Sequence, residues 1–419
     1  MFVLLSIRLI YRMITKPTQL FGTVDGPTGQ ASAMICIDSD RPHEYMVYSW
    51  GYDNPVALLF DATVDSAGSS ISLKARNLFR PSEIGSLYLP RLNDAEDRSL
   101  HAISAELHWV DGALKGQWKG LDAKAYSVEF NPTPSGSVIK AHECNTWDEF
   151  KQWATESRLS LDAAIYRGHG NRTFQLQTSL HRAGRCRIER YCNETLQQFQ
   201  LQAEAALDLR LDKNDGGDYA VVLGLGQHHG LPTPLLDWTE SPYIAAFFAF
   251  ADALESAAFR PEATHVRIFA LTRKFLNEAS PPNVILPYYR PYVCALEIAP
   301  RHNQRLQVQQ GWFLVTNIVD LERNISNFES QNSEKKLYAI DVPISVASEA
   351  LEDLAFMGVT AASMFPGLDG ICRKLRHQMT FVGKPIREAG KPAGESVPIA
   401  DSSVSSGSLK IATTSVVSG

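Results

Sequence analysis

The stretch Gln227-His228-His229-Gly230-Leu231-Pro232-Thr233-Pro234-Leu235-Leu236-Asp237-Trp238-Thr239-Glu240-Ser241-Pro242-Tyr243-Ile244-Ala245-Ala246-Phe247-Phe248-Ala249 organises the chain around it. Two histidines precede a glycine, a loop with two prolines follows, and the triplet Asp237-Trp238-Thr239 opens a strongly apolar helix. Thr239 or Ser241 suits the N-cap, Pro242 the first turn, and Glu240 the positively polarised end. Ile244, Phe247, Phe248 and Leu254 recur at near-helical spacing, so one face of this helix is expected to be buried. A proline-pinned loop backed by a buried helix is a rigid platform, and Asp237, Trp238, Thr239 and His228 on it form a candidate site. Capping and core packing compete as the reading for each residue taken singly; their concentration favours a site.

Working outward, Asp218–Gln227 reads as a helix with Val221, Val222 and Leu225 inward, and it delivers Gln227 and His228 to the loop. Ile188–Leu211 is also helical in pattern. Further upstream, Thr146 with Glu149 resembles a capping box and starts a helix that leads to the apolar strand Ala163–Tyr166. That strand ends in Arg167-Gly168-His169-Gly170. Glycines admit a close backbone approach and a guanidinium offers a bidentate fork, so Arg167 is placed to meet a phosphate. Pairing with a carboxylate such as Asp237 is the alternative. Downstream, strands are expected at His265–Leu271, Val284–Tyr288, Val293–Ile298 and Leu337–Ile344, and Gln309-Gln310-Gly311 runs into a further strand ending at Thr316. Helices at Ser345–Met357 and about 368–376 close the region.

The N-terminal third has another character. β-Rich runs at Ala33–Ile37, Glu44–Trp50, Val56–Phe60, Ser70–Leu73, Ala105–Val110 and Ala125–Phe130 alternate with turn clusters, and Asp111-Gly112 marks a hairpin. The expected fold class is α+β: an all-β barrel or sandwich at 18–135, a mixed α+β domain at 140–385, and a flexible Gly/Ser/Val-rich tail at 386–419. Residues 1–17 form a short apolar and basic segment, too short to span a bilayer. Met13 is an alternative start, and no membrane association is expected. The 419 residues carry a net charge of -6, which does not favour nucleic acid as a partner. Arg182, Arg185, Arg187 and Arg190 fall close together, as a local basic patch or a solvated helix start. Six cysteines without a Cys-x-x-Cys pair read as reduced thiols in a cytoplasmic protein, with no metal site.

Tyr166-Arg167-Gly168, the block from Gln227 to Thr239, Gln309-Gln310-Gly311-Trp312-Phe313 and Met364-Phe365-Pro366-Gly367-Leu368-Asp369-Gly370 together resemble the motifs of the FRG domain family, over roughly residues 140–380. His229 stands where that family usually has Tyr, and Pro234 where it usually has Arg, which removes one anion contact. The family occurs mainly in bacterial and phage proteins, often fused to other modules. The order of the motifs is similar to that of ADP-ribosyltransferases, with Arg167, Thr239 and Gln310 as the three separated elements.

This similarity implies NAD as substrate, in ADP-ribosyl transfer or NAD cleavage, and a role as a bacterial effector, defence toxin or phage-defence protein. Arg167 would hold the diphosphate, and Gln310 the ribose 2′-hydroxyl. Asp237 would orient Arg167 or steady the ribosyl cation, and His228 would be a base for an acceptor. Tyr166, Trp238 or Phe248 would wall the nicotinamide, with Gly168, Gln227 and Gln309 completing the nucleotide contacts. A macromolecular acceptor or partner could engage the β-module. The alternatives are a non-catalytic nucleotide-binding or docking module and a nucleic-acid-processing enzyme.

Overall fold

Asp111 and Gly112 both take positive φ, 51° and 79°, so the expected hairpin forms with Val110 opposite Ala113. This two-residue turn matches the twist of its strands, and around it the N-terminal region closes on itself. The computed structural model describes residues 18–380 apart from 52–54, 121, 123, 135, 213–214, 279–285, 297 and 299–303. The expected N-terminal segment, the tail and the start of the expected strand at Val284 lie outside the described residues. Strands β1 (Gln19–Gly26), β2 (Gly29–Cys36), β3 (Glu44–Trp50), β4 (Val56–Val64) and β5 (Ser70–Pro81) pair in succession. The short β6 (Leu87–Tyr88) adds to β5, which also pairs with β7 (Ser104–Val110). The circuit runs on through β8 (Ala113–Lys119) and β9 (Ala125–Pro132) back to β1. The result is a closed antiparallel barrel of eight strands with β6 outside the circuit, and closure leaves no unpaired edge in that circuit. Two glycines permit the bending. A Cβ at Gly22 would stand 1.8 Å from the Glu129 carbonyl oxygen, and one at Gly116 would stand 2.0 Å from that of Glu106.

The mixed α/β region carries a second sheet. It contains β10 (His142–Glu143), β11 (Ala163–His169), β12 (Leu235–Thr239), β13 (His265–Thr272), β14 (Val293–Leu296), β15 (Gly311–Thr316) and β16 (Leu337–Pro343). Their order is β10-β16-β13-β11-β12-β15-β14, antiparallel except for β10 with β16. Residues 286–288 form no strand; Tyr288 makes only an isolated bridge to Ser86.

One sheet face packs on the helices Trp147–Leu159, Pro242–Glu255 and Ala347–Phe356, with Trp147, Phe150, Phe247, Phe250, Ile268 and Ile340 in the core. The helix Pro242–Glu255 is called α1 below. Its N-cap is Ser241, whose hydroxyl accepts from the Ile244 N–H at 3.3 Å, with Pro242 in the first turn. The opposite face buries Ile165, Trp238, Phe269 and Leu314 with Ile325 of Leu321–Asn332. A further helix, Gly216–His228, covers Leu235, Cys294 and Val315. The capping box expected at Thr146 is half realised. Thr146 accepts from Glu149 N, but the Glu149 carboxylate reaches Asn145 N at 2.7 Å.

The barrel and the mixed region share a buried polar seam. Outward residues of β2 to β4, among them Met34, Cys36, Met46 and Tyr48, pack with Cys186. Asp38 accepts from the N–H groups of Cys186 and Arg187, from Arg185 at 3.2 Å and from Arg190 at 2.9 Å. Arg187 bonds Glu44 and Glu189, and the Tyr48 hydroxyl donates to Glu189 at 2.9 Å. Burial opposes ionisation of Glu44, yet hydrogen bonds from Arg187 and Arg76 hold its carboxyl down to about 2. Three of the four arginines are therefore neither a basic patch nor a solvated helix start: Arg185, Arg187 and Arg190 face acids at this seam, whereas Arg182 stays exposed and lines the cleft described below. All six cysteines are free. Among the described residues no helix is long and apolar enough to cross a membrane, and no His/Cys/Asp/Glu group is arranged to hold a metal.

Candidate functional site

Strands β11 and β12 are neighbours in the sheet but meet at one register position, Tyr166 opposite Thr239. Beyond it β11 follows β13 and β12 follows β15, so the two central strands part. A cleft of about 810 Å³ opens there, within the range of small-molecule sites. Arg167 stands at the fork. Its side chain is 17% exposed; Nη1 donates to the Asp237 carbonyl at 2.5 Å and lies 3.8 Å from the Asp237 carboxylate. Burial pushes this guanidinium down to about 10, against the pull of Asp237.

The other side of Arg167 is set by His169. Residues 167 and 169 share a strand face by the alternation of side chains. Arg167 Nε donates to His169 Nε2 at 3.0 Å, while His169 Nδ1 lies 3.3 Å from the Phe174 carbonyl. With that carbonyl taking the Nδ1 proton, the neutral imidazole presents Nε2 as an acceptor. Burial, reinforced by the Arg167 charge, keeps the His169 pKa well below its ordinary 6.5. His169 was part of the quoted motif but not of the expected site; the two-residue spacing was the available signal.

The rest of the expected set divides. Asp237, more than half exposed, accepts from Gln227 Nε2 at 2.9 Å, and Gln227 in turn takes the Thr233 hydroxyl. His228 and Phe248 also line the cleft, both half-buried. Burial, then Arg305 and His229, lower the His228 pKa. Thr239 lies at the inner end, where its hydroxyl donates to the Gln309 carbonyl at 2.7 Å and accepts from Ser241 N. Gln309 spans to the Met364 carbonyl at 2.8 Å.

Tyr166 and Trp238 border the cleft but are almost fully buried, and Gln310 lies outside its lining. Tyr166 is 1% exposed and its hydroxyl pairs with Ser157 at 2.9 Å, so its ring belongs to the core behind the cleft. Trp238 is 3% exposed and packs in the core of the opposite sheet face, because it alternates with Asp237. Gln310 takes φ 48°, is exposed, and is absent from the lining; its carbonyl accepts from Glu240 N. The space above Gly168 is filled by helix α1: a Cβ there would stand 1.9 Å from the Ala245 carbonyl oxygen. This glycine serves helix–strand contact as well as bordering the cleft.

Further charged groups come from distant sequence. Arg182, Arg260, Arg305 and Arg373 join Arg167 in the lining, against Asp237 and Asp252. Arg260 is neutralised by Asp252 at 2.9 Å, and Arg373 by a bidentate pair with Glu255 at 2.7 Å. Arg182 donates to the Gln177 carbonyl, and Arg305 stacks on Phe365 at 4.4 Å; neither has an ion-pair partner among the described residues. Phe365 also carries Arg373 at 4.5 Å and meets Phe248 edge-on at 5.8 Å. The cleft thus has positive walls, two carboxylates of which Asp252 is held by Arg260, and an aromatic side.

The FRG domain family model matches residues 162–258, from the start of β11 through α1. It takes in Arg167 and Asp237 but stops short of Arg305, Gln309 and Phe365, which complete the same cleft. No curated protein and no solved structure matches the chain. The C-terminal region of this chain contains an FRG domain.

Proposed function

We propose that the cleft binds a dinucleotide of the NAD type and acts in ADP-ribosyl transfer or NAD cleavage. The observation that carries this reading is the convergence of Arg167, Arg182 and Arg305 on one cleft in which Asp237 is the more exposed of the two lining carboxylates. The guanidinium groups of Arg182 and Arg305, without an ion-pair partner among the described residues, offer planar, charged donors to a diphosphate, and Arg167 adds a third beside Asp237. Phe248 supplies an aromatic face for a planar ring. When the bond between ribose C1′ and the nicotinamide nitrogen breaks, its electron pair leaves with neutral nicotinamide and positive charge collects on the ribose. Asp237, steadied by Gln227, can stabilise that charge. Water or an acceptor then adds at C1′ and loses its proton, and half-buried His228 is the nearby base. A non-catalytic nucleotide-binding role is the second reading. It is favoured by the position of Gln310 outside the lining and by the engagement of the Thr239 hydroxyl with Gln309.

A role as a cytoplasmic effector or defence toxin, with the barrel engaging an acceptor, belongs to the same proposal. The test is incubation of the full chain with labelled NAD, with and without cell lysate, reading nicotinamide release and labelled products. Release that disappears in Arg167→Ala and Asp237→Ala supports catalysis. Saturable NAD binding without turnover selects the second reading, and neither binding nor turnover rejects both.

A further inference from the structure

We propose that the N-terminal barrel holds one small, uncharged and largely apolar molecule in its lumen, with any polar end at the mouth beside the β1–β2 turn. An eight-stranded barrel is either filled by its own side chains or wide enough for one small ligand. This barrel is filled at one end only. Leu20, Tyr45, Ile71 and Leu114 are buried there, at 0–3% exposure. Towards the other end, Val24, Val47, Leu58 and Trp118 keep partial exposure although they line the interior. Inward positions that might have filled the gap are small: Ala105 lines it, and Gly22 and Gly116 have no side chain. The cavity that remains is about 370 Å³, on the order of a dozen water volumes at about 30 Å³ each.

The lining also selects the chemistry. No ionisable side chain lines the cavity among the described residues; Thr28 and Ser49 are its hydroxyl groups. The Trp118 indole N–H already donates to the Asp25 carbonyl at 2.8 Å. A charged ligand would be desolvated here without a partner, whereas a hydrocarbon chain or ring would cover the half-exposed Val24, Val47 and Leu58 side chains. Thr28 lies in the turn at the open end, so a single hydroxyl or carbonyl of the ligand would find its hydrogen bond there. Strands β2 to β4 line this lumen with Ile35, Val47 and Leu58 and meet the FRG region with alternate residues Met34, Met46 and Leu59. Occupancy of the lumen is therefore one side-chain layer from the polar seam.

The full chain would be titrated with N-phenyl-1-naphthylamine, an uncharged fluorophore, and the bound probe competed with 1-decanol or with decanoate. Expected is saturable one-to-one fluorescence enhancement, displaced by decanol at least 10-fold more effectively than by decanoate. Ala105→Phe and Val47→Phe, each checked for unchanged circular dichroism, should each weaken probe binding at least 10-fold. Arg182→Ala, in the cleft of the other region, should bind the probe like the parent. Decanol should also raise the thermal midpoint of the parent with increasing concentration. Absence of saturable binding, undiminished binding in a folded filled variant, loss of binding in Arg182→Ala, or an unmoved midpoint would each overturn the proposal.

Discussion

Lowering the pH from 7.5 to 5.0 should destabilise this protein through two buried histidines. His169 is the acceptor for Arg167, and His181, 3% exposed, sits beside Thr178 with its Nε2 unpartnered among the described residues. Burial lowers both pKa values, with His181 brought down to about 3. The unfolded chain takes up these protons near pH 6.5, whereas the folded chain refuses them. Stability is thus fully present above 6.5 and falls as pH drops toward the folded values. Below 6.5 a histidine kept neutral by the fold costs about 1.4 kcal/mol per pH unit, so at pH 5.0 His181 removes about 2 kcal/mol and His169 adds a loss of the same sign. Against a typical total of about 5–15 kcal/mol, urea unfolding would detect this easily. His169→Gln keeps an acceptor for Arg167 without the titration, and His181→Asn removes the second proton site. Each single variant should lose part of the acid sensitivity, and the double variant most of it, whatever their stabilities at pH 7.5. A double variant whose stability falls between pH 7.5 and 5.0 as steeply as the parent's would refute the argument.

Gly168→Ala should cost about 3 kcal/mol or more, because its Cβ would meet the Ala245 carbonyl oxygen and backbone on both sides must shift; a urea midpoint equal to the parent's would contradict this packing. Asp38→Ala should cost about 3–5 kcal/mol by leaving Arg185 and Arg190 without their shared buried acceptor. That loss should persist in high salt, since the site is shielded; thermal unfolding at two ionic strengths checks it. Phe365→Ala removes the surface on which Arg305 and Arg373 lie. Arg373 is held by Glu255, so at about 0.5–1 kcal/mol for the stacked Arg305 pyrophosphate binding measured by calorimetry should weaken about 2-fold to 5-fold, and an unchanged Kd would show that Phe365 does not position Arg305.

The barrel was legible where alternation was clean. Glu44–Trp50 forms a strand over the expected span, and Asp111-Gly112 turns as its dipeptide demands. β1 was missed because Thr23, Asp25 and two glycines interrupt its apolar pattern; its pairing with β2 and β9 supplies what the local sequence lacks. β5 runs past the expected end at Leu73 to Pro81, with Lys74 and Arg76 alternating outward along it and breaking the apolar run. The helix Asp94–His101 was readable in principle: Asn93 and Glu96 form a complete capping box. Closure into a barrel depends on pairings between strands far apart, chiefly β1 with β9, and no local pattern encodes that.

For the site, the limit was one of geometry within a single turn. A Gln-Gln-Gly step before a strand marks where a side chain can enter the cleft, but not which glutamine enters. The helix Gln304–Val308 ends with Gln309 N bonded to the Arg305 carbonyl, and Gln310 then takes a left-handed backbone before Gly311. That change of backbone sign leaves Gln310 exposed and Gln309 in the lining. Gly311 lets Leu306 pack close at the same place, since a Cβ there would stand 2.3 Å from Leu306 Cδ1 and push that side chain aside. The same helix brings Arg305 to the cleft, so one short turn places a cation and a carboxamide opposite Asp237. A dipeptide motif located this element, and only the path of its backbone decides which of its side chains can touch a ligand.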